Sequence, residues 1–180
     1  IGRWRGQDIK DYLLSGVKRY DIASGPMAEQ VKNSSQYWKE EDLQAVAVYL
    51  KSLGVKDEKV PAPLNGDDKQ MIAGSHIYFD RCSACHGSSG KGEKNIFPQL
   101  ANNSLVNAPE PVSLAHVVLA GSRGVDTDAR PTAPAMPAFA SIMTDEEIAT
   151  VLTYIRNSWG NSAPAVSADD VKKMRERLTP

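Results

Sequence analysis

The most informative stretch of this 180-residue chain is Arg81-Cys82-Ser83-Ala84-Cys85-His86-Gly87, because it holds both of the cysteines. Two cysteines three positions apart can form a disulfide, bind a metal or carry a cofactor. A thioredoxin-like pair would sit at the start of a helix that follows a strand, and the flanking sequence has no strand pattern. A structural zinc site would need two more ligands at comparable spacing, and His76, His86 and His116 supply no second close pair. Attachment of a cofactor is the interpretation that remains.

The pattern C-x-x-C-H is the attachment sequence of c-type haem. Thiols at positions i and i+3 lie on one side of a helical turn, where they can form thioethers with the two vinyl groups of one porphyrin. The next residue, His86, then faces the iron. A chance occurrence of the pattern would instead leave two buried thiols. The sequence therefore predicts one covalent haem c, attached at Cys82 and Cys85 and ligated by His86.

The residues on either side of the motif favour the same interpretation. Upstream, residues 69–79 carry apolar side chains at helical spacing, with Gly74 four residues before Tyr78, as a close helix crossing would require. Downstream, residues 87–92 contain three glycines and form a predicted loop, followed by Phe97-Pro98-Gln99-Leu100. This whole stretch resembles class I cytochrome c, an all-α fold. In that family a proline about twelve residues after the haem histidine accepts a hydrogen bond from its second ring nitrogen, and the resemblance assigns this role to Pro98.

The resemblance also implies a methionine as the sixth iron ligand, from a loop that precedes the C-terminal helix. Met136 fits, because it lies in residues 130–139, where three prolines discourage a helix. Met143 is the first competitor, although its place just before a helix favours packing against haem or core. His116 would give bis-histidine ligation, and His76 lies on the first helix, from which the distal side is hard to reach.

A helix is predicted after Met136. It begins with a capping box at Thr144 and Glu147, and its apolar residues between 148 and 155 follow helical spacing. In the resemblance this helix crosses the first one near Gly74. Arg123, in a glycine-containing loop, is a candidate partner for a haem propionate, although an exposed arginine there needs no such role.

The first quarter of the chain repeats the second half of this domain. Gly16 corresponds to Gly121 (121 − 16 = 105), and Tyr49 corresponds to Tyr154 (154 − 49 = 105). Each copy holds a methionine beside a proline, which is Met27 in the first copy. The same offset applied to Cys82 gives 82 − 105 = −23, so the first copy lacks an attachment motif. We therefore expect the chain to be the C-terminal part of a longer multi-haem protein, the alternative being a single-haem protein with a degenerate appendage.

These observations divide the chain into four segments. Residues 1–54 are a partial cytochrome-like domain, 55–66 a polar linker with prolines, 67–162 the cytochrome domain, and 163–180 a tail with a charged helix that begins at a second capping box. The fold class is thus all-α, a class I cytochrome c fold preceded by the C-terminal half of another.

Residues 25–31 and 42–53, which begin at Gly25-Pro26-Met27, resemble the second domain of the three-haem cytochrome subunits of bacterial membrane-bound alcohol and gluconate dehydrogenases. The rest of the chain, including Ser158-Trp159-Gly160-Asn161, resembles their third domain, so the likeness covers nearly the whole chain. That resemblance implies electron transfer without catalysis, from a dehydrogenase subunit to quinone, an oxidase or another cytochrome. It also implies a periplasmic location, associated with the outer face of the inner membrane through partner subunits or missing segments. The net charge of −1 makes nucleic acid a poor partner, and no apolar run is long enough to span a membrane.

Two other functions use the same motif. A haem enzyme of the peroxidase type would leave the sixth iron position open and would place a distal His or Glu where this chain has Met136. A haem-based sensor is the other. The proline-rich loop around Met136 argues against the peroxidase.

Overall fold

A computed structural model describes residues 4–18, 21–54, 61–94 and 96–178, so half of the predicted linker at 55–66, residues 55–60, lies outside the described residues. Within these ranges the chain is mostly helical. It also has two small sheets, each made of two strands of two residues. The helices are α1 Gly6–Ser15, α2 Pro26–Asn33, α3 Glu40–Ser52, α4 Lys69–Arg81, α5 Ser83–His86, α6 Val112–Ala120, α7 Asp145–Arg156 and α8 Ala168–Leu178, with a 3-10 turn at Ser35–Tyr37. The strands are β1 Val17–Lys18, β2 Asp21–Ile22, β3 Ser122–Arg123 and β4 Ala135–Met136.

The chain forms two compact units that interleave in sequence. The first unit contains residues 1–59, 94–97 and 123–135, and the second contains 60–93, 98–122 and 136–180. Two short segments between the cytochrome motif and Met136 thus fold with the N-terminal residues.

The second unit is built on the pair of helices α4 and α7. Gly74 permits their close crossing, because a β-carbon at this position would lie 2.5 Å from Tyr154 Cβ and 2.7 Å from the Thr150 carbonyl oxygen. The predicted crossing at Gly74 is therefore confirmed. Residues of α6, α7 and α8 complete the core around Tyr78, which is fully buried.

The ends of the helices in this unit follow the predicted caps. Thr144 Oγ1 accepts from the Glu147 amide at 3.2 Å, and a Glu147 carboxylate oxygen accepts from the Thr144 amide at 2.8 Å, which confirms the capping box. At the start of α8, Ser167 Oγ accepts from the Asp170 amide at 3.2 Å. The tail helix packs on α7 and is tied to its first turn by Arg175 Nε, which donates to Asp145 Oδ1 at 2.7 Å.

Arg156, at the end of α7, has a completely buried side chain in the second unit. Its guanidinium donates to three backbone carbonyls, those of Val106 at 3.0 Å, Pro109 at 3.1 Å and Pro164 at 2.9 Å. Burial lowers its pKa. One arginine thus joins three loops to the C-terminal end of α7.

The first unit packs α1 against α3 through buried residues that include Ile9, Leu43 and Ala47. A separate small core consists of Ala23, Val31 and Val125, the last of which comes from residues 123–135. The Val125 amide donates to the Ala23 carbonyl at 2.9 Å. At the surface Lys32 Nζ lies 2.7 Å from Asp126 Oδ2.

Candidate haem site

The cysteine motif occupies a single helical turn at the end of α4. The Cys82 amide donates to the Tyr78 carbonyl at 2.9 Å, and the His86 amide donates to the Cys82 carbonyl at 3.0 Å. Helical bonding therefore continues from α4 through the short α5. This turn presents Cys82 and Cys85 one turn apart and places His86 at its end.

Both cysteines are free thiols in different surroundings. Cys82 is half-buried beside the core, and Cys85 is exposed. Burial, with a smaller contribution from Cys85, raises the pKa of Cys82 to about 11. One thiol thus faces the interior and the other the rim of the unit.

His86 is buried, with 8% of its surface exposed. Its Nδ1 lies 2.9 Å from the Pro98 carbonyl oxygen, which has no proton to give, so Nδ1 is the donor. Burial lowers the pKa of His86, with the Pro98 hydrogen bond acting in the opposite direction. The imidazole is therefore held neutral with Nε2 unprotonated, the form that binds a metal. This is the contact that the class I resemblance implies for Pro98.

The glycine-rich loop after His86 is fixed by backbone hydrogen bonds. Tyr78 Oη donates to the Gly87 carbonyl at 2.6 Å, and the Gly92 amide donates to the His86 carbonyl at 2.8 Å. The Gly90 carbonyl accepts hydrogen bonds from the amides of Leu100 and Ala101, which follow Pro98. The α-carbon of Gly90 faces the ring of Trp159. Sequence reasoning assigned no role at the site to Tyr78 or Trp159, although the pair Trp159-Gly160 directly after a helix was a signal for a special turn.

Met136 is half-buried in β4 and packs against the core of the second unit. Gly121, which ends α6 at φ 72°, lets the chain at Met136 pass close by, because a β-carbon on Gly121 would lie 2.7 Å from the Met136 carbonyl oxygen. Met143 is a core residue with 7% of its surface exposed. Met136 belongs to the same compact unit as His86, and its role as a ligand stays a prediction.

The remaining candidates lie at the surface. His76 on α4 and His116 on α6 are both exposed. Arg123 is exposed and groups with the first unit, whereas the cysteine motif belongs to the second. A propionate contact from Arg123 stays a prediction.

The donor set fits a haem better than a bare metal ion. In the described parts of the chain, no group of three or more His, Cys, Asp or Glu is arranged to hold a metal ion. The second unit instead offers two thiols on one turn, one neutral imidazole oriented by a carbonyl, and a half-buried thioether. A haem bound there would supply an iron that changes its charge by one electron.

Comparison with known proteins agrees with this geometry. Residues 71–159 match the family described as cytochrome c. The chain is also 33% identical to cytochrome c-552 of Thermus thermophilus over 117 residues, covering 59% of the chain and 88% of the relative. The chain belongs to the cytochrome c family. It is an electron-transfer protein of mostly α-helical class I fold that uses haem c.

Longer relatives cover the first unit as well. The chain is 40% identical to the cytochrome c subunit of alcohol dehydrogenase (quinone) from Gluconobacter oxydans (strain 621H), over all of the chain and 40% of the relative. It is 37% identical to the gluconate 2-dehydrogenase cytochrome c subunit of Pantoea cypripedii, over 99% of the chain and 43% of the relative. This cytochrome c thus spans about two fifths of the length of these relatives. Among the described residues, no helix has the length and apolar character needed to cross a membrane.

Proposed function

We propose that the second unit binds one haem c through thioethers at Cys82 and Cys85, with His86 and Met136 as the axial ligands. The observation that carries this proposal is the 2.9 Å contact between His86 Nδ1 and the Pro98 carbonyl, at the end of the cysteine turn. That hydrogen bond orients the ring and raises the basicity of Nε2. A thioether on the other side favours reduced iron and raises the potential, as suits an electron carrier.

The test is the haem-loaded variant Met136→Ala. It should lose the far-red absorption band of thioether ligation, bind added imidazole or carbon monoxide, and have a lower midpoint potential. Met143→Leu is the matched control, because Met143 is a nearby buried methionine, and it should keep the band. Retention of the band in the Met136 variant, with its loss in the Met143 variant, would reassign the ligand to Met143. A wild-type spectrum without the band would point to His116 instead.

We propose that electrons enter and leave where the cysteine turn reaches the surface. Ala84 and Cys85 are exposed, and so are Ser88, Ser89 and Lys91 in the glycine-rich loop. Small side chains at this rim permit close approach of a partner. Replacing Ala84 with the larger glutamate should slow electron exchange with a partner. The midpoint potential of the haem should change only by the small amount that one added surface charge causes.

We propose that the protein is the cytochrome subunit of a dehydrogenase complex in the periplasm, held at the inner membrane by other segments or subunits. The relatives named as cytochrome subunits of alcohol and gluconate dehydrogenases support this assignment. Quinone, an oxidase or another cytochrome would accept the electrons. The test is stopped-flow reduction of the haem by the catalytic subunit of a quinone-type alcohol dehydrogenase with ethanol. If the alcohol dehydrogenase reduces the haem no faster than a glucose dehydrogenase with glucose does, this chain is not the partner of an alcohol dehydrogenase.

We propose that residues 1–54 are the C-terminal half of another cytochrome domain. The repeat predicted at an offset of 105 has counterparts in the helices and strands: β1 (17–18) corresponds to β3 (122–123), and Lys39, the N-cap of α3, corresponds to Thr144, the N-cap of α7. Residues 55–66 then act as a linker between this half-domain and the cytochrome domain at 67–162.

An uncovered face of α3 supports the half-domain proposal. Val48 and Tyr49 are 58% and 63% exposed, whereas their counterparts on α7 are the buried Thr153 and the half-buried Tyr154, which packs on α4. The described residues of the first unit thus include the helix that corresponds to α7 and none that corresponds to α4. Met27, in the first turn of α2, is 38% exposed.

The test of this half-domain is the gene product that includes residues upstream of Ile1. We expect it to bind more than one haem per chain in a pyridine haemochrome assay and to protect Tyr49 from chemical nitration, with Tyr37, 63% exposed, as the control tyrosine. An extended product in which Tyr49 reacts as fast as Tyr37 would contradict the proposal.

A further inference from the structure

Trp159 has an unusual backbone conformation just after α7. Among the described residues, Asn102 (φ 51°) and Trp159 (φ 55°) are the non-glycine residues with positive φ. This region is unfavourable for a bulky side chain and persists only where the surroundings impose it. The two residues contact each other, because Asn102 Nδ2 donates to the Trp159 carbonyl at 3.3 Å.

The indole of Trp159 lies directly against the glycine-rich loop of the haem motif. A β-carbon on Gly90 would lie within 2.8 Å of three atoms of the indole ring. On its other sides the ring contacts Tyr78 and Tyr154, with centroid distances of 4.8 and 5.4 Å. Aromatic rings packed in this way have little freedom to move, so the indole acts as a fixed wall for Gly90.

Gly90 in turn holds the segment that carries Pro98. The Gly90 carbonyl accepts from the Leu100 amide at 2.7 Å and from the Ala101 amide at 2.9 Å. Asn161, two residues after Trp159, donates from its side chain to the Leu100 carbonyl at 2.9 Å. The turn after α7 therefore fixes both the loop at Gly90 and the chain two residues after Pro98.

We propose that Trp159 is a positioning residue for the iron ligand, acting through Gly90 and Pro98 on His86. The 2.9 Å bond between His86 Nδ1 and the Pro98 carbonyl requires the Gly90 loop and the Pro98 segment to keep their spacing. The indole sets that spacing from outside the site. This inference rests on the proposed role of His86 as iron ligand. It assigns to Trp159 a specific influence on the redox potential, exerted through the hydrogen bond of His86 and reported by exchange of its Nδ1 proton.

The direct readout is exchange of the His86 Nδ1 proton with solvent, followed by NMR in the reduced haem-loaded chain. Trp159→Leu removes the wall, and we expect exchange to accelerate about tenfold, which corresponds to about 1.4 kcal/mol. The midpoint potential should rise, because a weaker bond to Pro98 makes the imidazole less basic and so stabilises oxidised iron less. Trp159→Phe should restore part of both properties, and Gly90→Ala should reproduce the effect of Trp159→Leu by displacing the loop.

Val171→Ala is the matched control, because Val171 is a fully buried core residue of the same unit, on α8, and lies outside the aromatic cluster that holds the indole. It should lower stability without changing proton exchange or potential. If Trp159→Leu and Gly90→Ala lower stability as Val171→Ala does while leaving both readouts at wild-type values, the inference is overturned and Trp159 only packs. Failure of the proposed function looks different, because then wild-type protein would show no haem attached at Cys82 and Cys85.

Discussion

Gly74→Ala tests the helix crossing on which the cytochrome unit depends. The substitution places a β-carbon 2.5 Å from Tyr154 Cβ and 2.7 Å from the Thr150 carbonyl oxygen. Alanine in a helix interior gains about 0.5–1 kcal/mol over glycine. Overpacking costs about 1–3 kcal/mol, and the upper part of this range applies because a backbone carbonyl cannot rotate away. We therefore expect Gly74→Ala to lower the free energy of unfolding by about 2 kcal/mol.

The measurement is guanidinium unfolding of the haem-loaded chain, followed at the Soret band, which reports on the second unit. Ala73→Gly is the control, because Ala73 is exposed in the same helix and reports helix propensity alone. It should cost about 1 kcal/mol. If Gly74→Ala is as stable as wild type or more stable, α4 and α7 do not approach each other as closely as described.

Three further predictions concern single contacts. Arg156→Lys should lower the free energy of unfolding by about 3 kcal/mol, because the single nitrogen of lysine cannot reach three carbonyls that are bound by three different guanidinium nitrogens, and each hydrogen bond to a charged group contributes about 1.5–3 kcal/mol. Thr144→Ala should cost about 1 kcal/mol through loss of the N-cap of α7, measured by thermal unfolding. The hydrogen bond from Lys32 lowers the pKa of Asp126, so Lys32→Met should raise that pKa in a carboxyl NMR titration. Because the folded pKa is the lower one, the ion pair stabilises the fold above the ordinary aspartate pKa, and its contribution disappears as pH falls through the folded value.

Each of these predictions has a distinct contrary result. Wild-type stability in Arg156→Lys would mean that the three carbonyls have other donors. An unchanged melting temperature in Thr144→Ala would mean that water caps α7 equally well. An Asp126 pKa that stays low in Lys32→Met, at both low and high salt, would assign the shift to the local backbone instead.

Local sequence signals predicted much of the cytochrome unit. Two kinds of feature can be recognised without coordinates. The cysteine turn and the caps at Thr144 and Ser167 depend on residues close in sequence, and the crossing at Gly74 depends on a missing side chain. The contact of Pro98 with His86 needed the family resemblance, because nothing in the composition of residues 87–98 specifies which carbonyl faces the ring.

Long-range polar contacts were beyond sequence reasoning. Arg156 reads as an ordinary basic residue in the last turn of a helix, yet it is buried among carbonyls of loops up to 50 residues away. Trp159 and Asn102 meet across 57 residues, both at positive φ, a backbone conformation that asparagine tolerates and tryptophan rarely adopts. The grouping of residues 123–135 with the N-terminal unit likewise depends on tertiary packing of Val125, which periodicity does not reveal.

The small core of Ala23, Val31 and Val125 has a consequence for the order of folding. Ala23 and Val125 are 125 − 23 = 102 residues apart, so the segment that completes this core is synthesised long after α1 to α3. While the chain is synthesised from its N-terminus, the core beside these helices therefore stays incomplete until residues 123–135 have also been made. Such intervals expose apolar surface and favour aggregation. We expect the N-terminal unit to acquire protease resistance only after residues 123–135 have been synthesised and can complete its core.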